Sequence, residues 1–543
     1  MAPPTWGCAQ SSGPEVAGGY LCQGSITFAD SALDAAVREA IFGLDVVDEE
    51  ALTYPALATL KGLDISGRGV SRLDGIECAQ GLEVVNASDN AIESVVALSK
   101  LPRLKELDIS NQDTSALAGL ESIIGLHHLV VRDLGLDTIA FTAAMIELES
   151  LDVAQNNVTS LDGVASLPML EHLDVSNNAL QKLDALGADC TLGILVADGN
   201  LITNLAPLSA CGGLHYLSLD DNEVTSIKGL GALDSLVTLR VDENQIDDLS
   251  PLSSLPLEEL WIRNNGLKDL SPLSSVTSLQ VLVITDNEVT ALAPLGSAAS
   301  LHTLYGRNNQ LKSLAGIESN SALRSVDVRG NGAVTSLAPL IGLSALRSLG
   351  VGGAAGGLEL GPLSGLDALA AVRLENVGAG FDLPPLASLQ YLSTVSLKGT
   401  PLDAAQLGTL AGFDALRDLD ISETGVTSLG QVVGGPSLKV LRASKNAVTE
   451  LPGASSWSGV EDLRIGDNPI MTLAPLAGVL SLRRIDASST NIDSVASVVA
   501  IPGFATDSFL DVRQTPLSSN DCPELEALKT RGVEIRTDVD CGG

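Results

Sequence analysis

Aliphatic residues recur along this chain at a spacing that neither one helix nor one strand would use. The pattern L-x-x-L-x-L-x-x-N-x-L runs through Leu148, Leu151, Val153, Asn156 and Val158, then Leu170, Leu173, Val175, Asn178 and Leu180, then Leu214, Leu217, Leu219, Asn222 and Val224. Its leading positions fall at 60, 82, 104, 126, 148, 170, 192, 214 and 236, a constant interval of 22. They continue with small slips through 257, 279, 301, 323, 346, 369, 392, 416, 438, 460 and 482, and a degenerate turn near 507 completes about 21 coils. A fixed period of this length marks a solenoid, in which each unit buries its apolar face only by stacking on its neighbours.

Within a coil the L-x-L segment alternates inward and outward as a strand does, so successive coils predict a parallel sheet with strands about 4.8 Å apart and a rod roughly 100 Å long. The ninth position carries Asn90, Asn156, Asn178, Asn200, Asn222, Asn244, Asn265, Asn287, Asn309, Asn331, Asn446 and Asn468. An amide there satisfies backbone groups left unpaired as the chain leaves the strand, so these residues are structural. The other half of each coil reads LAPL at 205–208, 292–295 and 473–476 and LSPL at 249–252 and 270–273. Proline removes a donor and restricts the preceding residue, which predicts short turns or 3₁₀ pieces instead of long helices. The expected class is thus an α/β solenoid of the leucine-rich-repeat kind: a right-handed superhelix with a concave parallel β-sheet and a short 3₁₀ or turn convex side.

Three parts follow from this reading. Residues 1–59 form an N-terminal cap with a helix over about 31–43, where Asp30 or Ser31 serves as N-cap and Leu33, Val37 and Ile41 line an apolar face. Residues 60–506 form the repeat array, irregular over about 350–424, where coils lengthen and Ala354, Val377, Thr400 and Thr424 replace the Asn. That stretch reads either as a re-curved joint or as ordinary drift in an old array. Residues 507–543 hold the last coil and a C-terminal cap made of a short helix and an edge strand.

A coil of the form LxxLxxLxLxxNxIxxLxPL resembles the repeat of internalins and related bacterial surface proteins. The helix FADSALDAAVREAIFGL at 28–44 is similar to the cap that precedes internalin repeats, and LDGIE at 73–77 resembles their first-repeat phrase. The resemblance covers residues 28–502 and implies a protein-binding solenoid. The sequence shows neither an immunoglobulin-like module after the repeats nor a wall-sorting motif, so attachment to a cell wall is not implied.

Composition narrows the function. Aromatic residues are 3% of the chain and the formal net charge is −36. The first fits a core of small aliphatic layers; the second argues against nucleic acid, which needs Lys and Arg, and against anionic membrane surfaces. It suits a soluble monomer. No apolar run approaches the roughly 20 residues of a membrane span. The N-terminus, MAPPTWGCAQSSG, lacks the regions of a signal peptide, so either a leader has been removed or the chain is cytoplasmic. Seven cysteines favour secretion or a cell-surface location. Spacing suggests disulfides Cys8–Cys22 and Cys522–Cys541 as end staples and Cys190–Cys211 between consecutive coils, leaving Cys78 without an obvious mate; reduced, merely apolar thiols are the alternative.

Chemistry is sought among outward sheet positions, which packing leaves free. The central outward column reads Asp64, Asn86, Asp108, Val130, Asp152, Asp174, Val196, Ser218, Arg240, Trp261, Val283, Tyr305 and Asp327. Its middle differs from its flanks. Tyr216, Arg240, Trp261, Arg263, Val283, Tyr305 and Arg307 bring together Trp, Tyr and Arg, the types enriched at binding hot spots, and form the candidate ligand patch. Asp198, Asp220 and Asp242 stack one per coil and are weak calcium candidates, since like charges so close repel. Catalysis is not expected. His128 and His172 lie two coils apart, near 10 Å, too far to share a metal. His127, His215 and His302 take surface positions, and Asp152 with Asp174 is a pair any acidic protein offers. No other cofactor is implied. The leading function is therefore a non-catalytic scaffold for a protein, or a glycan, on the concave face. An intracellular scaffold resembling phosphatase regulatory subunits and a self-associating envelope component are the alternatives.

Overall fold

The structure, a computed structural model, describes residues 22, 26–43, 51–112, 118–187, 190–354, 356–432 and 437–542. The chain divides into two compact units, Met1–Asn265 and Gly266–Gly543.

The first unit opens with helix α1 (Ser31–Phe42), whose N-cap Asp30 accepts from the amides of Ala32 and Leu33 through Oδ1 at 2.9 and 3.1 Å. Its Oδ2 accepts from Ser71 N, Ser71 Oγ and Arg72 N at 2.8, 3.0 and 3.1 Å, so one carboxylate both caps the helix and clamps it to the first coil. A second helix, α2 (Tyr54–Thr59), starts on a proline turn that the repeat pattern did not signal. Strands of three residues follow, from Gly62–Asp64 to Glu259–Trp261, each parallel to the next and matched position for position, as Leu195, Leu217, Leu239 and Leu260 illustrate.

The core is built coil by coil. In one coil Leu214, Leu217, Leu219, Val224, Ile227, Leu230 and Leu233 all lie at 1% exposure or less. Each such side chain contributes about 1.5–3 kcal/mol relative to exposure. Opposite the strands run 3₁₀ segments such as Ala206–Ala210 and Ser250–Leu252, with proline in their first turn, where its missing N–H costs nothing.

The asparagine ladder is the device that joins coils. Asn222 Nδ2 donates to the carbonyls of Ala197, Leu219 and Asp220 at 2.9, 3.1 and 3.2 Å, while Oδ1 accepts from Ile202 N at 3.0 Å. The residue before it, Asp221, takes the left-handed conformation with φ 55°, as do Asp89, Asp133, Asn177 and Glu243 in their own coils. That conformation is least costly for Asn and Asp among residues that have a Cβ. Gln112 fills the ladder position in its coil, donating to Ala87, Ile109 and Ser110 carbonyls and accepting from Ile92 N.

The second unit continues the same construction through twelve described strands, from Val281–Val283 to Glu534–Arg536. The stretch over 350–424 does not interrupt pairing: Ser348–Gly352 and Ala371–Glu375 are longer than their neighbours and match over five residues. Its glycines have steric reasons. A Cβ on Gly352 would lie 2.1 Å from the Glu375 carbonyl oxygen, and one on Gly350 would lie 2.6 Å from Asp327 Oδ1. Arg329 crosses above this strand, holding Asp327 at 2.7 Å on one side and Glu375 at 2.5 Å on the other. Thr400 partly replaces the missing amide, donating to Leu374 O and accepting from Val377 N. Helix α3 (Ala404–Leu410), capped by Asp403 and Gln406, α4 (Ala496–Val499) and α5 (Cys522–Thr530) complete the unit, and the strand Glu534–Arg536 pairs with Phe509–Asp511. Trp457 is core, 1% exposed, its Nε1 donating to Val432 O.

Three disulfides are formed. Cys190–Cys211 and Cys522–Cys541 join the pairs that spacing suggested, with Cα separations of 4.8 and 5.5 Å. The N-terminal staple needs correction: Cys22 bonds Cys78, 56 residues away, rather than Cys8, which lies outside the described residues. The cap packs on the first coil, whose short Ile76–Cys78 segment buries Cys78 completely and brings it to Cys22, so nearness in sequence was the wrong guide.

Candidate binding face

Most outward carboxylates on the sheet are structural. In the first unit Asp64, Asn86, Asp108 and Asp174 each turn a side-chain oxygen onto the serine two residues later, accepting from both its N–H and its hydroxyl. Asp420 and Asp486 treat Ser422 and Ser488 the same way in the second unit, through N–H in both and hydroxyl in the latter. An Asp-x-Ser turn thus closes the end of the strand and uses up the outward column. Asp152 makes the amide half of it with Ala154 and also pairs with Arg132.

The first unit abandons this turn in its last four coils. From the strand Ile194–Val196 onward the carboxylate moves two residues along, to Asp198, Asp220 and Asp242, and bonds to the next coil instead of its own. Asp198 Oδ1 accepts from Asp220 N and Ser218 Oγ, both at 2.7 Å. Asp220 accepts from Asp242 N at 2.7 Å, and Asp242 from Arg263 N at 2.5 Å. The central column is released by this shift and becomes Val196, Ser218, Arg240 and Trp261.

Two of the three carboxylates have arginine partners. Arg240 pairs with Asp220 at 3.2 Å and Arg263 with Asp242 at 2.7 Å. Both guanidiniums also flank the Trp261 ring, with Cζ 4.8 and 5.8 Å from its centroid. Trp261 is half-buried and its Nε1 reaches Glu259 at 3.4 Å; Tyr216 is half-buried on the neighbouring column. The ring is therefore held in place before any ligand arrives, which lowers the entropy lost on binding. Burial pushes the Asp198 and Asp220 carboxyls above the usual carboxylate range, opposed by the hydrogen bonds from Ser218 and the next coil's amides. The oxygens of the proposed calcium column are engaged by amides and guanidiniums, and among the described residues no group of three or more His, Cys, Asp or Glu could hold a metal ion.

The remaining candidates belong to the second unit. Tyr305 is half-buried with its hydroxyl 3.4 Å from Ser325 Oγ, and Arg307 is exposed. Val283 is 2% exposed and offers no surface to a ligand. His128 and His172 flank the strand Ser150–Asp152, one on each side, as the two-coil spacing implied, and His127 Nδ1 meets Glu149 at 2.9 Å. Sequence reasoning missed the shift from Asp-x-Ser to the inter-coil carboxylate; the signal was present in the change from DIS and DVS to LVAD, LSLD and LRVD.

Residues 257–297 match the family described as Leucine Rich repeats (2 copies). Among solved structures, a TDR receptor is 18% identical over 90% of each chain with a TM-score of 0.58. The fold is a leucine-rich-repeat solenoid. The plant peptide hormone receptor RGFR1, solved in complex with RGF2, is 16% identical over 91% of this chain and 89% of its own, with a TM-score of 0.52. An internalin of Listeria monocytogenes is 23% identical over 68% of this chain and 95% of its own, with a TM-score of 0.49. No curated protein matches the sequence. No described helix of the solenoid is long and apolar enough to cross a membrane.

Proposed function

We propose that the protein is a binding scaffold that works outside the cell, as a secreted or surface-exposed chain, and recognises a protein ligand on the sheet face of its first unit, with Trp261 at the centre and Tyr216, Arg240 and Arg263 around it. The observation that carries this reading is the central column in these coils: Asp or Asn occupies it in five of the six preceding strands, Val130 being the exception, whereas here it presents a pre-positioned tryptophan between two arginines. Trp, Tyr and Arg supply large contact area with polar handles, the chemistry of interface hot spots. Tyr305 and Arg307 offer the same residue types within the second unit. The plant peptide hormone receptor RGFR1, which shares the fold, is solved in complex with RGF2, which is in keeping with this assignment. Three disulfides favour an oxidising compartment over the cytoplasmic alternative.

The test uses the full chain as bait for extracellular proteins, followed by affinity measurement on the partner it retains. Trp261→Ala combined with Tyr216→Ala should weaken that partner at least thirtyfold, about 2 kcal/mol, as loss of a hot spot does, while the circular dichroism spectrum stays unchanged. Unaltered affinity would overturn the assignment.

A further inference from the structure

The sheet face of the second unit is basic over three successive strands, Ser325–Val328, Ser348–Gly352 and Ala371–Glu375. Arg324, Arg329, Arg347 and Arg373 lie there against two carboxylates, Asp327 and Glu375, and Arg329 holds both of these. The strands on either side bring no acid to these columns: one carries His302, Thr303 and Tyr305, the other Ser393, Thr394 and Ser396. Four arginines against two carboxylates leave a surplus of positive charge on this part of the face, in a chain whose net charge is −36. Arg324, Arg347 and Arg373 make no ion pair among the described residues.

Backbone pairing brings these three together. Arg347 N donates to Arg324 O at 2.8 Å, one step ahead of the register pair Ser325 and Ser348, so the two arginines are neighbours on adjoining coils. Both are exposed. Half-buried Arg373 stands in register with Gly350, which has no side chain, and its Nη1 reaches back along that strand to donate to Ser348 Oγ at 3.3 Å. That bond sets its guanidinium beside the residue that follows Arg347. Ser325, Ser348 and Ala371 are small, so they leave room for a bound chain beside the guanidiniums. Like charges so close are unfavourable, and both carboxylates of these strands are taken by Arg329. Distant carboxylates offset little, because charges separated by more than about 8 Å are largely screened at physiological salt. A planar guanidinium offers a fork that matches a carboxylate in bidentate fashion.

We propose that Arg324, Arg347 and Arg373 form a second binding site, which takes an acidic segment of a polypeptide through its Asp or Glu carboxylates. The site lies within the second unit and is independent of the Trp261 face. A labelled oligoglutamate peptide titrated into the full chain at physiological salt should bind. Its affinity should fall by roughly tenfold or more in Arg324→Gln/Arg347→Gln and in Arg373→Gln, as loss of charged hydrogen bonds does. The urea midpoint of each variant should stay unchanged, since the substituted groups serve no ion pair of the fold. Arg103→Gln/Lys105→Gln, which removes two exposed cations of the first unit, should leave the affinity unaltered, and so should Trp261→Ala. The first control separates a built site from the overall charge of the chain; the second keeps failure here distinct from failure of the Trp261 face. Absence of oligoglutamate binding by the unaltered chain overturns the proposal, as does binding indifferent to the arginine substitutions. Equal weakening in the first-unit control overturns it too, as does a preference for polyphosphate or a sulfated oligosaccharide over oligoglutamate.

Discussion

A single amide decides how firmly two coils are joined. Replacing Asn222 by Ala would leave the buried carbonyls of Ala197 and Leu219 and the amide of Ile202 without that partner, and an unsatisfied buried group costs roughly 1–3 kcal/mol. Urea unfolding of Asn222→Ala should show a loss on the order of 3 kcal/mol, whereas Asp221→Asn should be close to neutral because both residues accept a left-handed backbone. Two carboxylates provide opposite pH signatures. Hydrogen bonds from Ser71, Leu33 and Arg72 outweigh burial and hold Asp30 below its ordinary 3.8, so its contribution is present above that value and lost as pH falls through the folded one. Burial raises Asp198, so the folded state binds its proton more tightly than the unfolded chain does; the stability this gives is present at and below 3.8 and lost as pH rises through the folded value. Asp30→Asn should flatten the acid limb of a plot of urea midpoint against pH, and Asp198→Asn should remove a decline that begins just above 3.8. At this scale repetition made the leucine core and most of the ladder legible. Gln112, Thr400 and the buried Asn320, which bonds Leu295 and Ala298 carbonyls, were not legible, because a substitute for a repeat residue is recognised only by the partners it meets.

Elements in this protein are short and borrow their stability from neighbours. Helix α1 is the exception that caps the array, and it is held by Asp30 and by the Cys22–Cys78 bond. Cys78→Ser should cost about 2–5 kcal/mol if the whole cap depends on that link. Amide exchange over 31–42 should rise in this variant while exchange over 214–241 stays unchanged; equal rises in both segments would show that the bond serves more than the cap. Strand and 3₁₀ positions were readable because their alternation and their prolines are local signals. The partner of Cys22 was not, since it depends on how the cap folds back. The glycines over 350–357 could be read as a joint or as drift for the same reason: only the crossing of Arg329 to Glu375 shows that some of them clear a path between strands.

At the scale of the whole molecule, the acidic surplus and the disulfides bear on the environment we propose, and the run of coils that ends at Trp261 bears on the proposed contacts. Asp-x-Ser or Asn-x-Ser turns hold the outward position at Asp64, Asn86, Asp108, Asp174, Asp420 and Asp486. In the last coils of the first unit the column passes instead to Val196, Ser218, Arg240 and Trp261, the coils to which the proposed function assigns recognition. Composition pointed to a scaffold, and residue type singled out Trp261; the move of the carboxylate to Asp198, Asp220 and Asp242 became visible only through its bonds to the next coil.

The division of labour on the sheet face is tested most directly by oxidative side-chain footprinting of the full chain with and without its captured partner. The labelling of Trp261 and Tyr216 should fall on binding, while Tyr391 and Met471, 63% and 67% exposed away from the proposed contacts, should label unchanged. Unchanged labelling of Trp261 with protection of Tyr391 or Met471 would contradict it.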